Sequence, residues 1–274
     1  MEGRVARLGL TPLKGAAHVR PERVDVLEHG AVGDRGWCCV ERETGRDRGG
    51  EGAGERGGGR WVVARTVRTP ALLQVRATAR PGRGLHLRLP GGAWDVPAPG
   101  TAPLVADYWG RPAPVALAPG PWDAALSDLV GRPVALARVL RPGAVVYAEP
   151  VVLLTTSTLR ELARRTGAEV DDERFRSLVL VGTGDARPFV EDSWHGRVLD
   201  VGGARLEVTA GVARCAVVQR TPGTGERAPD DLLGALALDR VVEGPGGREV
   251  VLGVGARVLR PGPVAVGDAV VLRT

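Results

Sequence analysis

Two residues of the 274-residue sequence are the first candidates for chemistry, because each is isolated from others of its type. Lys14 is the only lysine, since all the other residues in the Lys and Arg total of 37 are arginines. A lysine ammonium is a compact charge that binds phosphate, whereas an arginine presents a planar fork of donors. Cys215 lies far from the adjacent Cys38 and Cys39, and a thiolate is both a nucleophile and a soft metal ligand. These residue types suggest an anion-binding site with a reactive or metal-binding thiol.

Both residues also have an ordinary structural interpretation. A single lysine among many arginines can be a compositional accident, and a single cysteine in a strand is usually a small buried hydrophobe. The cysteines form no CxxC zinc spacing or disulfide framework and are fewer than the about four that an iron–sulfur cluster needs. On a strand, Cys38 and Cys39 would point to opposite faces and could not chelate one ion. The histidines lack metal-ligand spacing and are expected at the surface or in loops: His18, His29, His86 and His195.

The composition is that of an ordinary soluble protein, with 43% hydrophobic and 25% charged residues. The longest apolar runs are far shorter than the about 18 residues of a membrane span, and the first residues lack the pattern of a secretory signal. We therefore expect a cytoplasmic protein. The formal net charge is +5, but the arginines are scattered and aromatic residues make up only 4%, which argues against a nucleic-acid partner. An anionic small molecule explains the basic charge as well.

The first part of the sequence contains short strand-like runs separated by turns. Runs of apolar or β-branched residues begin at Arg23, Trp37 and Trp61, and Pro-Gly or Gly-Gly pairs stand at 81–82 and 91–92. This spacing predicts a β barrel or sandwich. Residues 45–59, GRDRGGEGAGERGGG, have nothing to bury and are expected to form a surface loop.

The second part mixes helices with strands. A helix is predicted over 121–131, where a glycine ends it, and another over 155–167, with a capping box of Thr158 and Glu161 and with Gly167 after its last turn. Residues 230–238 predict a further short helix. Strands are predicted over 177–181, 205–208 and 216–219 and in the tail PGPVAVGDAVVLRT.

Several motifs, taken in order along the chain, resemble one family. They are Pro12-Leu13-Lys14-Gly15, Gly33-Asp34-Arg35-Gly36-Trp37, Glu173-Arg174-Phe175-Arg176, Glu191-Asp192-Ser193-Trp194, Arg214-Cys215, Pro222-Gly223-Thr224-Gly225 and Val266-Gly267-Asp268. Their order and spacing extend over nearly the whole chain and resemble the MOSC proteins with an N-terminal β-barrel extension. That family is named for the C-terminal domain of molybdenum-cofactor sulfurases and includes the mitochondrial amidoxime-reducing component and its bacterial relatives.

The resemblance implies a mainly β fold with a few short helices, in which an N-terminal β-barrel domain (1–118) packs on a MOSC-type β-barrel domain (119–274). It also implies a site for the molybdenum cofactor, molybdopterin. By resemblance, Cys215 is both the catalytic residue and the metal ligand, and the following residues bind the cofactor: Lys14, Arg35, Thr156, Ser157, Thr158, Arg176 and Arg214.

The activity implied by the resemblance is the reduction of N-hydroxylated or N-oxide compounds by a molybdenum-cofactor-dependent oxidoreductase. The residue types suit this, because molybdopterin carries a phosphate that needs fixed cations and a metal that accepts a soft thiolate. The sequence has no iron–sulfur cysteine set and no GxGxxG motif after a predicted strand, so we expect the electrons to come from a separate protein.

The sequence departs from the family pattern at two positions, which leaves alternatives open. The family's Arg-Phe-Arg is usually followed by Pro-Asn, but here Ser177-Leu178 follows, and Gly15 stands where the reductases commonly have serine. The first alternative is a molybdenum-free sulfur-transfer or biosynthetic enzyme, independent of pyridoxal phosphate, that uses Cys215 as thiolate or persulfide. The second is a non-catalytic binder of an anionic metabolite.

Other motif residues have a structural interpretation. Asp34 and Arg35 can form a turn or an ion pair with each other. Glu191, Asp192 and Trp194 are expected to brace the fold rather than react, and Asp192 can orient a cationic neighbour.

Overall fold

The computed structural model describes residues 2–43, 59–80, 82, 84–244 and 247–273. These residues contain three α-helices, which are α1 (Pro121–Val130), α2 (Thr156–Thr166) and α3 (Leu232–Ala237). The strands in the same ranges are β1 (Glu2–Leu8), β2 (Arg23–Leu27), β3 (Gly30–Ala31), β4 (Trp37–Glu43), β5 (Arg60–Val63), β6 (Arg76–Arg80), β7 (Gly84–Leu89), β8 (Gly92–Val96), β9 (Pro103–Tyr108), β10 (Arg111–Leu117), β11 (Ala135–Val139), β12 (Val151–Thr155), β13 (Val179–Gly182), β14 (Val198–Val201), β15 (Ala204–Ala213), β16 (Val241–Gly244), β17 (Gly247–Arg260), β18 (Gly262–Ala265) and β19 (Ala269–Leu272). No helix in these ranges is long and apolar enough to cross a membrane. The loop expected over 45–59 lies outside the described residues, apart from Gly59.

The first barrel is closed by strands in the order β10-β11-β4-β5-β9. Small and β-branched side chains such as Cys38, Val40 and Val115 fill its interior. Cys39 lies on the other face of β4, in a second core that also takes in the sheet β6-β7-β8 and α1. The two cysteines therefore point to opposite faces, as predicted, and burial raises the pKa of Cys38 to about 12.

The second barrel contains strands in the order β12-β13-β1-β19-β14-β15-β17-β16. Because β12 also pairs with β17, the strands from β12 to β17 in this order form a closed ring. Trp194 and Leu153 are fully buried in its core. The helices α2 and α3 cover a neighbouring core through Leu162 and Leu236, which pack with Phe175. The mainly β architecture with an N-terminal barrel is the one predicted.

Strand pairing crosses the predicted domain boundary at residues 118 and 119. β1, at the start of the chain, pairs with β13 and β19 of the second barrel. β11, which follows the boundary, pairs with β4 and β10 of the first barrel. The boundary therefore stays a prediction about folding units and does not mark a separation of the two sheets.

The helix ends show one prediction confirmed and one wrong. Gly167 takes the left-handed conformation after α2, with φ 68°, as expected of a glycine at this position. The N-cap, however, is Thr155, whose side chain accepts a hydrogen bond from the Thr158 amide. Glu161 lies one turn further on and binds Arg164 and Arg165 instead, so the capping box of Thr158 and Glu161 does not form.

The strand predicted over 216–219 is also wrong. Ala216–Gln219 is a 3₁₀ helix, and the Val218 amide donates to the Cys215 carbonyl oxygen at 3.1 Å. Only Val218 of this segment is buried, which suits a single helical turn better than a strand with one buried face. The β-branched Val217-Val218 pair favours a strand locally. The strand β15 has already ended at Ala213, however, and residues 216–219 have no partner strand to pair with.

Candidate functional site

The site begins where the segment 11–14 runs alongside the segment 34–37. The Arg35 amide donates to the Thr11 carbonyl at 2.9 Å, the Trp37 amide to Pro12 at 3.1 Å, and the Lys14 amide to Trp37 at 2.8 Å. These backbone bonds fix two motifs that are about twenty residues apart in sequence. They bring the side chains of Lys14 and Arg35 to one place.

Lys14 has no carboxylate partner in the part of the chain that the structure describes. Its Nζ lies 4.8 Å from the centroid of the Tyr108 ring, a cation–π distance. Burial, with the charges of Arg35 and Arg176 next in size, lowers the pKa of Lys14 to about 7. Its ammonium is therefore held at a position where the protein itself does not favour a positive charge.

Arg35 and Asp34 form the ion pair that the sequence allowed. Arg35 has a left-handed backbone, with φ 47°, which is uncommon for a residue with a long side chain. Asp34 also accepts the Thr11 amide at 2.8 Å. Asp34 thus anchors the turn and neutralises one of the cations of the site.

Arg176 joins the cluster from the other barrel, at the end of the 3₁₀ helix Asp172–Phe175. Its guanidinium donates to the Thr11 hydroxyl at 3.1 Å and to the Gly15 carbonyl at 3.2 Å. Burial and the neighbouring Arg35 lower the pKa of Arg176 to about 10. Neutral oxygens hold this charge, and its hydrogen bonds include no carboxylate among the described residues.

A buried histidine completes this corner. His18 Nε2 lies 3.1 Å from the Ser177 carbonyl oxygen and Nδ1 lies 3.0 Å from the Thr11 hydroxyl. Because a carbonyl only accepts, Nε2 carries the proton, and Nδ1 accepts from Thr11. Burial and Arg176 lower the pKa of His18 to about 3. A Cβ on Gly9 would lie 1.8 Å from Nε2, so glycine is required for this packing. His18 lies in a loop, as expected, but it is buried rather than at the surface.

Arg214 is fixed by backbone oxygens. It donates to the Leu252 carbonyl through Nε at 2.9 Å and Nη2 at 2.6 Å, and to the Phe175 carbonyl through Nη1 at 2.8 Å. Gly253, with φ 66°, passes close by, and a Cβ there would lie 2.7 Å from the Leu153 carbonyl oxygen. Burial lowers the pKa of Arg214 to about 10, against the charges of Cys215 and Glu191.

Cys215 is exposed and forms no disulfide; it lies two residues after the end of β15 and directly before the 3₁₀ helix Ala216–Gln219. It lies within electrostatic range of Lys14, Arg176 and Arg214. The structure therefore brings together five of the predicted site residues: Lys14, Arg35, Arg176, Arg214 and Cys215. The cluster of these five residues, with Asp34 as the carboxylate bound to it, is called the cationic cluster below.

The hydroxyls at the start of α2 are used within the protein. Thr158 donates to Glu191 Oε2 at 2.9 Å, and Thr155 donates to the same oxygen at 2.8 Å. Ser157 lies 3.1 Å from both the Thr155 and the Thr183 hydroxyls, and Thr156 Oγ1 accepts the Thr183 amide at 3.2 Å. Ser157 and Thr158 are buried, so their assignment as cofactor contacts stays a prediction that these hydroxyl bonds do not favour.

Glu191, Asp192 and Trp194 take structural positions. Glu191 and Trp194 are fully buried, and burial raises the pKa of Glu191. Asp192 binds the Arg240 guanidinium, at 2.9 Å through Oδ1, so it does orient a cationic neighbour.

Ser177 and Leu178, which stand where the family usually has Pro-Asn, are both buried and do not favour a direct ligand contact. Leu178 belongs to the core of the second barrel. Ser177 is 1% exposed, and its hydroxyl has no hydrogen-bond partner in the described residues. Neither replaces the polar contact of an asparagine side chain at the position of Leu178.

Cavity size alone would place the site elsewhere. A cavity of about 680 Å³ lies on the first barrel between Glu41, Trp61 and Arg132, and one of about 510 Å³ is lined by Arg76, Arg88 and Gly223. Neither is lined by Lys14 or Cys215. The first contains the ion pair of Arg132 with Glu41, whereas three of the four cations of the cationic cluster are uncompensated by carboxylate bonds. Unpaired charge is therefore a better guide to a candidate site here than cavity volume is.

Sequence reasoning missed Thr11, His18 and Tyr108. Thr11 and His18 flank the Lys14 motif, and their polar types next to an otherwise apolar stretch were the available signal. Tyr108 is one of only two tyrosines, but nothing in its local sequence connects it to Lys14. That connection depends on the closure of the first barrel.

Comparisons with known proteins bear on this arrangement. The family model of the MOSC domain matches residues 128–271, and that of the MOSC N-terminal beta barrel domain matches residues 2–101. No curated protein matches the chain. Among solved structures, the chain is similar to the YuaD protein from Bacillus subtilis, with 12% identity, 98% of this chain and 94% of that chain covered, and a TM-score of 0.44. It is also similar to YiiM from Geobacillus stearothermophilus, with 18% identity, coverage of 46% and 55%, and a TM-score of 0.34.

Proposed function

The chain belongs to the MOSC family, and on this premise we propose that its cationic cluster and Cys215 bind a molybdenum cofactor that the protein uses to reduce N-hydroxylated or N-oxide compounds. The observation that carries the proposal is the convergence of Lys14, Arg176 and Arg214 on one exposed thiol without a carboxylate bonded to any of the three. Burying an uncompensated charge costs free energy. An anionic ligand at this position offsets that cost.

The donor set fits molybdopterin. The described residues contain no group of three or more His, Cys, Asp or Glu side chains that could hold a metal ion. A metal at Cys215 would therefore need most of its ligands from the cofactor itself. Molybdopterin would supply such ligands through its dithiolene sulfurs. Cys215 would supply one soft protein ligand. Lys14, Arg35, Arg176 and Arg214 would hold the anionic phosphate and the pterin.

The bound cofactor would supply a metal centre that exchanges two electrons with an N–O bond. The overall reduction consumes two electrons and two protons and releases the oxygen as water. The protein contributes position. Lys14, whose pKa is lowered to about 7 without a ligand, would be held protonated by the anionic group that it binds. The electrons are expected from a separate protein, because the sequence carries too few cysteines for an iron–sulfur cluster.

A second function is favoured by the departure at Leu178. With this side chain in the hydrophobic core, one polar contact to the cofactor is missing, while Cys215 stays exposed. An exposed thiol beside cations also suits a persulfide carrier that passes sulfur to an acceptor without molybdenum.

Metal and pterin analysis of the chain purified from a host that makes the cofactor tests the proposal. We expect molybdenum and pterin in near-equal amounts in the wild type, loss of molybdenum in Cys215→Ser, and no change in the control Cys39→Ala, whose thiol is buried in another core. Persulfide at Cys215 without molybdenum would instead support sulfur transfer. The absence of metal, pterin and persulfide would leave a non-catalytic anion binder and would contradict both enzymatic functions.

A further inference from the structure

One corner beside the cationic cluster concentrates the rare aromatic residues of the chain. The sequence has two tyrosines and one lysine, and Tyr108, Tyr147 and Lys14 all lie here. Lys14 Nζ is 4.8 Å from the Tyr108 ring. Trp109 and Tyr147 form an edge-to-face pair with their centroids 5.4 Å apart. In a protein with 4% aromatic residues, Trp109 and Tyr147 are the aromatic side chains among the exposed large hydrophobic residues of the described ranges.

The Trp109 and Tyr147 rings are open to solvent. Trp109 is 51% exposed and Tyr147 is 55% exposed. Each therefore presents a large apolar area to water that its edge-to-face contact leaves uncovered. Exposed Trp and Tyr rings are common in ligand and partner sites because they bury much area at a small entropic cost.

The backbone at Trp109 is unfavourable for this residue type. Trp109 and Gly110 form the two-residue turn between β9 and β10, with φ values of 57° and 78°. A hairpin turn with two positive φ values prefers Asn-Gly, and a bulky side chain there is strained. Such strain is typical of positions retained for function.

Two arginines lie beside the Trp109 and Tyr147 rings. The Arg65 guanidinium lies 4.4 Å from the Trp109 ring centroid, and that of Arg111 lies 5.3 Å from the Tyr108 ring centroid. Arg111 also donates to the Val146 carbonyl at 2.7 Å, which ties the hairpin to the segment that carries Tyr147. Neither arginine forms a salt bridge within the described ranges, so the corner attracts negative charge.

Tyr108 connects this corner to the cationic cluster. Burial raises the pKa of Tyr108 to about 12, against the charges of Arg35 and Arg111. Tyr108 faces Lys14 of the cationic cluster and directly precedes Trp109 in the chain. A ligand on the Trp109 and Tyr147 rings would lie next to the proposed reaction site.

We propose that Trp109 and Tyr147 form a stacking subsite for a planar aromatic ligand whose anionic group is bound by Arg65 and Arg111. The rings supply a π surface for the flat group, and the two guanidiniums supply charge-assisted hydrogen bonds. That this ligand is the substrate rests on the proposed function. Its binding does not, because none of these four side chains belongs to the metal-binding set.

Calorimetric titration with 2-naphthoate tests the subsite, with cyclohexanecarboxylate as a charged ligand without an aromatic ring. The protein is used as wild type and as Cys215→Ser, so that failure of metal binding and failure of the subsite are distinguishable. We expect both proteins to bind 2-naphthoate alike. Trp109→Asn should weaken this binding at least about tenfold, as expected for loss of one aromatic stack, and should not affect cyclohexanecarboxylate.

Asparagine is chosen because it suits the turn, so Trp109→Asn should not lower the melting temperature. The matched control is Trp61→Ala, because Trp61 carries a similar arginine contact, with Arg42 at 4.4 Å, on another part of the barrel. Unchanged 2-naphthoate binding in Trp109→Asn, or equal weakening in Trp61→Ala, would overturn the proposal. A third result would also overturn it: 2-naphthoate does not bind, and an acidic electron-transfer protein docks more weakly to Trp109→Asn than to the wild type. That result would assign Trp109 and Tyr147 to the binding of a partner protein.

Discussion

Arg174 and Arg176 are separated by a single residue, yet the protein treats their charges in opposite ways. Arg174 donates to both Asp230 oxygens, at 2.8 and 2.9 Å, and to the Val218 carbonyl at 2.7 Å. Arg176 donates to one hydroxyl and one carbonyl. The first charge is neutralised by a bonded carboxylate, whereas the second experiences the charges of Glu173 and Asp34 without a hydrogen bond to either.

The same contrast separates the two regions around these residues. On the outer side, by α2 and α3, Arg165 binds Glu161 and Asp239, and Arg240 binds Asp192. In the cationic cluster, Arg214 binds only backbone oxygens and Lys14 faces a ring. On the proposed function, we expect removal of a matched cation to reduce stability and removal of an unmatched cation to reduce binding of an anionic ligand.

The largest effect expected from this comparison is a fall in stability when the matched charge of Arg174 is removed. The Arg174 and Asp230 side chains are only 5% and 6% exposed, so Arg174→Met leaves a buried carboxylate without its partner. We expect the free energy of unfolding to fall by about 3–5 kcal/mol, measured by denaturant titration. Arg164→Met is the control, because Arg164 is 73% exposed and its loss should change stability by less than about 0.5 kcal/mol. Similar values for the two variants would break the comparison.

Loss of an unmatched charge should instead reduce anion binding. We expect Lys14→Ala to weaken sulfate binding to cofactor-free protein by about 1.5–3 kcal/mol, the range for a hydrogen bond to a charged group, without reducing stability. Lys14→Arg should restore only part of the affinity, because a planar fork does not fit the place of a compact ammonium. Calorimetry at constant pH measures both variants. Equal affinities in wild type, Lys14→Ala and Lys14→Arg would make the single lysine a compositional accident.

The pH dependence of the unmatched region follows from the lowered pKa of Lys14, about 7 against the ordinary 10.5. Below pH 7 both folded and unfolded states are protonated, and the folded state bears the full cost of the buried charge. Between pH 7 and 10.5 the folded state loses its proton first, so stability relative to Lys14→Met should rise with pH.

Sulfate binding should show the opposite trend in the wild type and weaken as pH rises through about 7, because Lys14 then loses its charge. Sulfate keeps its own charge over this range, and Lys14→Arg should not show the step. The groups that face Lys14 are Arg35, Arg176, Tyr108 and the thiols of Cys38 and Cys215. A step of equal size in Lys14→Arg would assign the titration to a group other than Lys14.

The sequence predicted the fold where local patterns decide it. The α1 helix begins at Pro121 and ends before Gly131, which takes φ 74°, and the strands that begin near Arg23 and Trp37 form as expected. The strand predicted over 216–219 does not form. Its two adjacent valines favour a strand locally, but this segment has no neighbouring strand to pair with, and tertiary structure overrides the local preference. Thr155 replaced Thr158 as the N-cap because several threonines precede α2 and local preference does not separate them.

The candidate site could be predicted only in part for a related reason. Lys14, Arg35, Arg176, Arg214 and Cys215 stand in recognisable motifs, and the structure places them together. The roles of Thr11, His18 and Tyr108 depend on contacts between segments far apart in the chain, such as His18 with Ser177 at 3.1 Å. No local pattern carries that information.

The most direct test of the central claim is the pterin content of Arg176→Met and Arg165→Met, purified from a cofactor-producing host and compared with the wild type. Both variants remove one arginine from the second barrel, but Arg165 is matched by Glu161 and Asp239 and Arg176 has no bonded carboxylate. We predict a several-fold loss of pterin in Arg176→Met at unchanged melting temperature, and wild-type pterin in the folded Arg165→Met. Equal pterin content in all three proteins would contradict the claim that the unmatched cations hold the ligand.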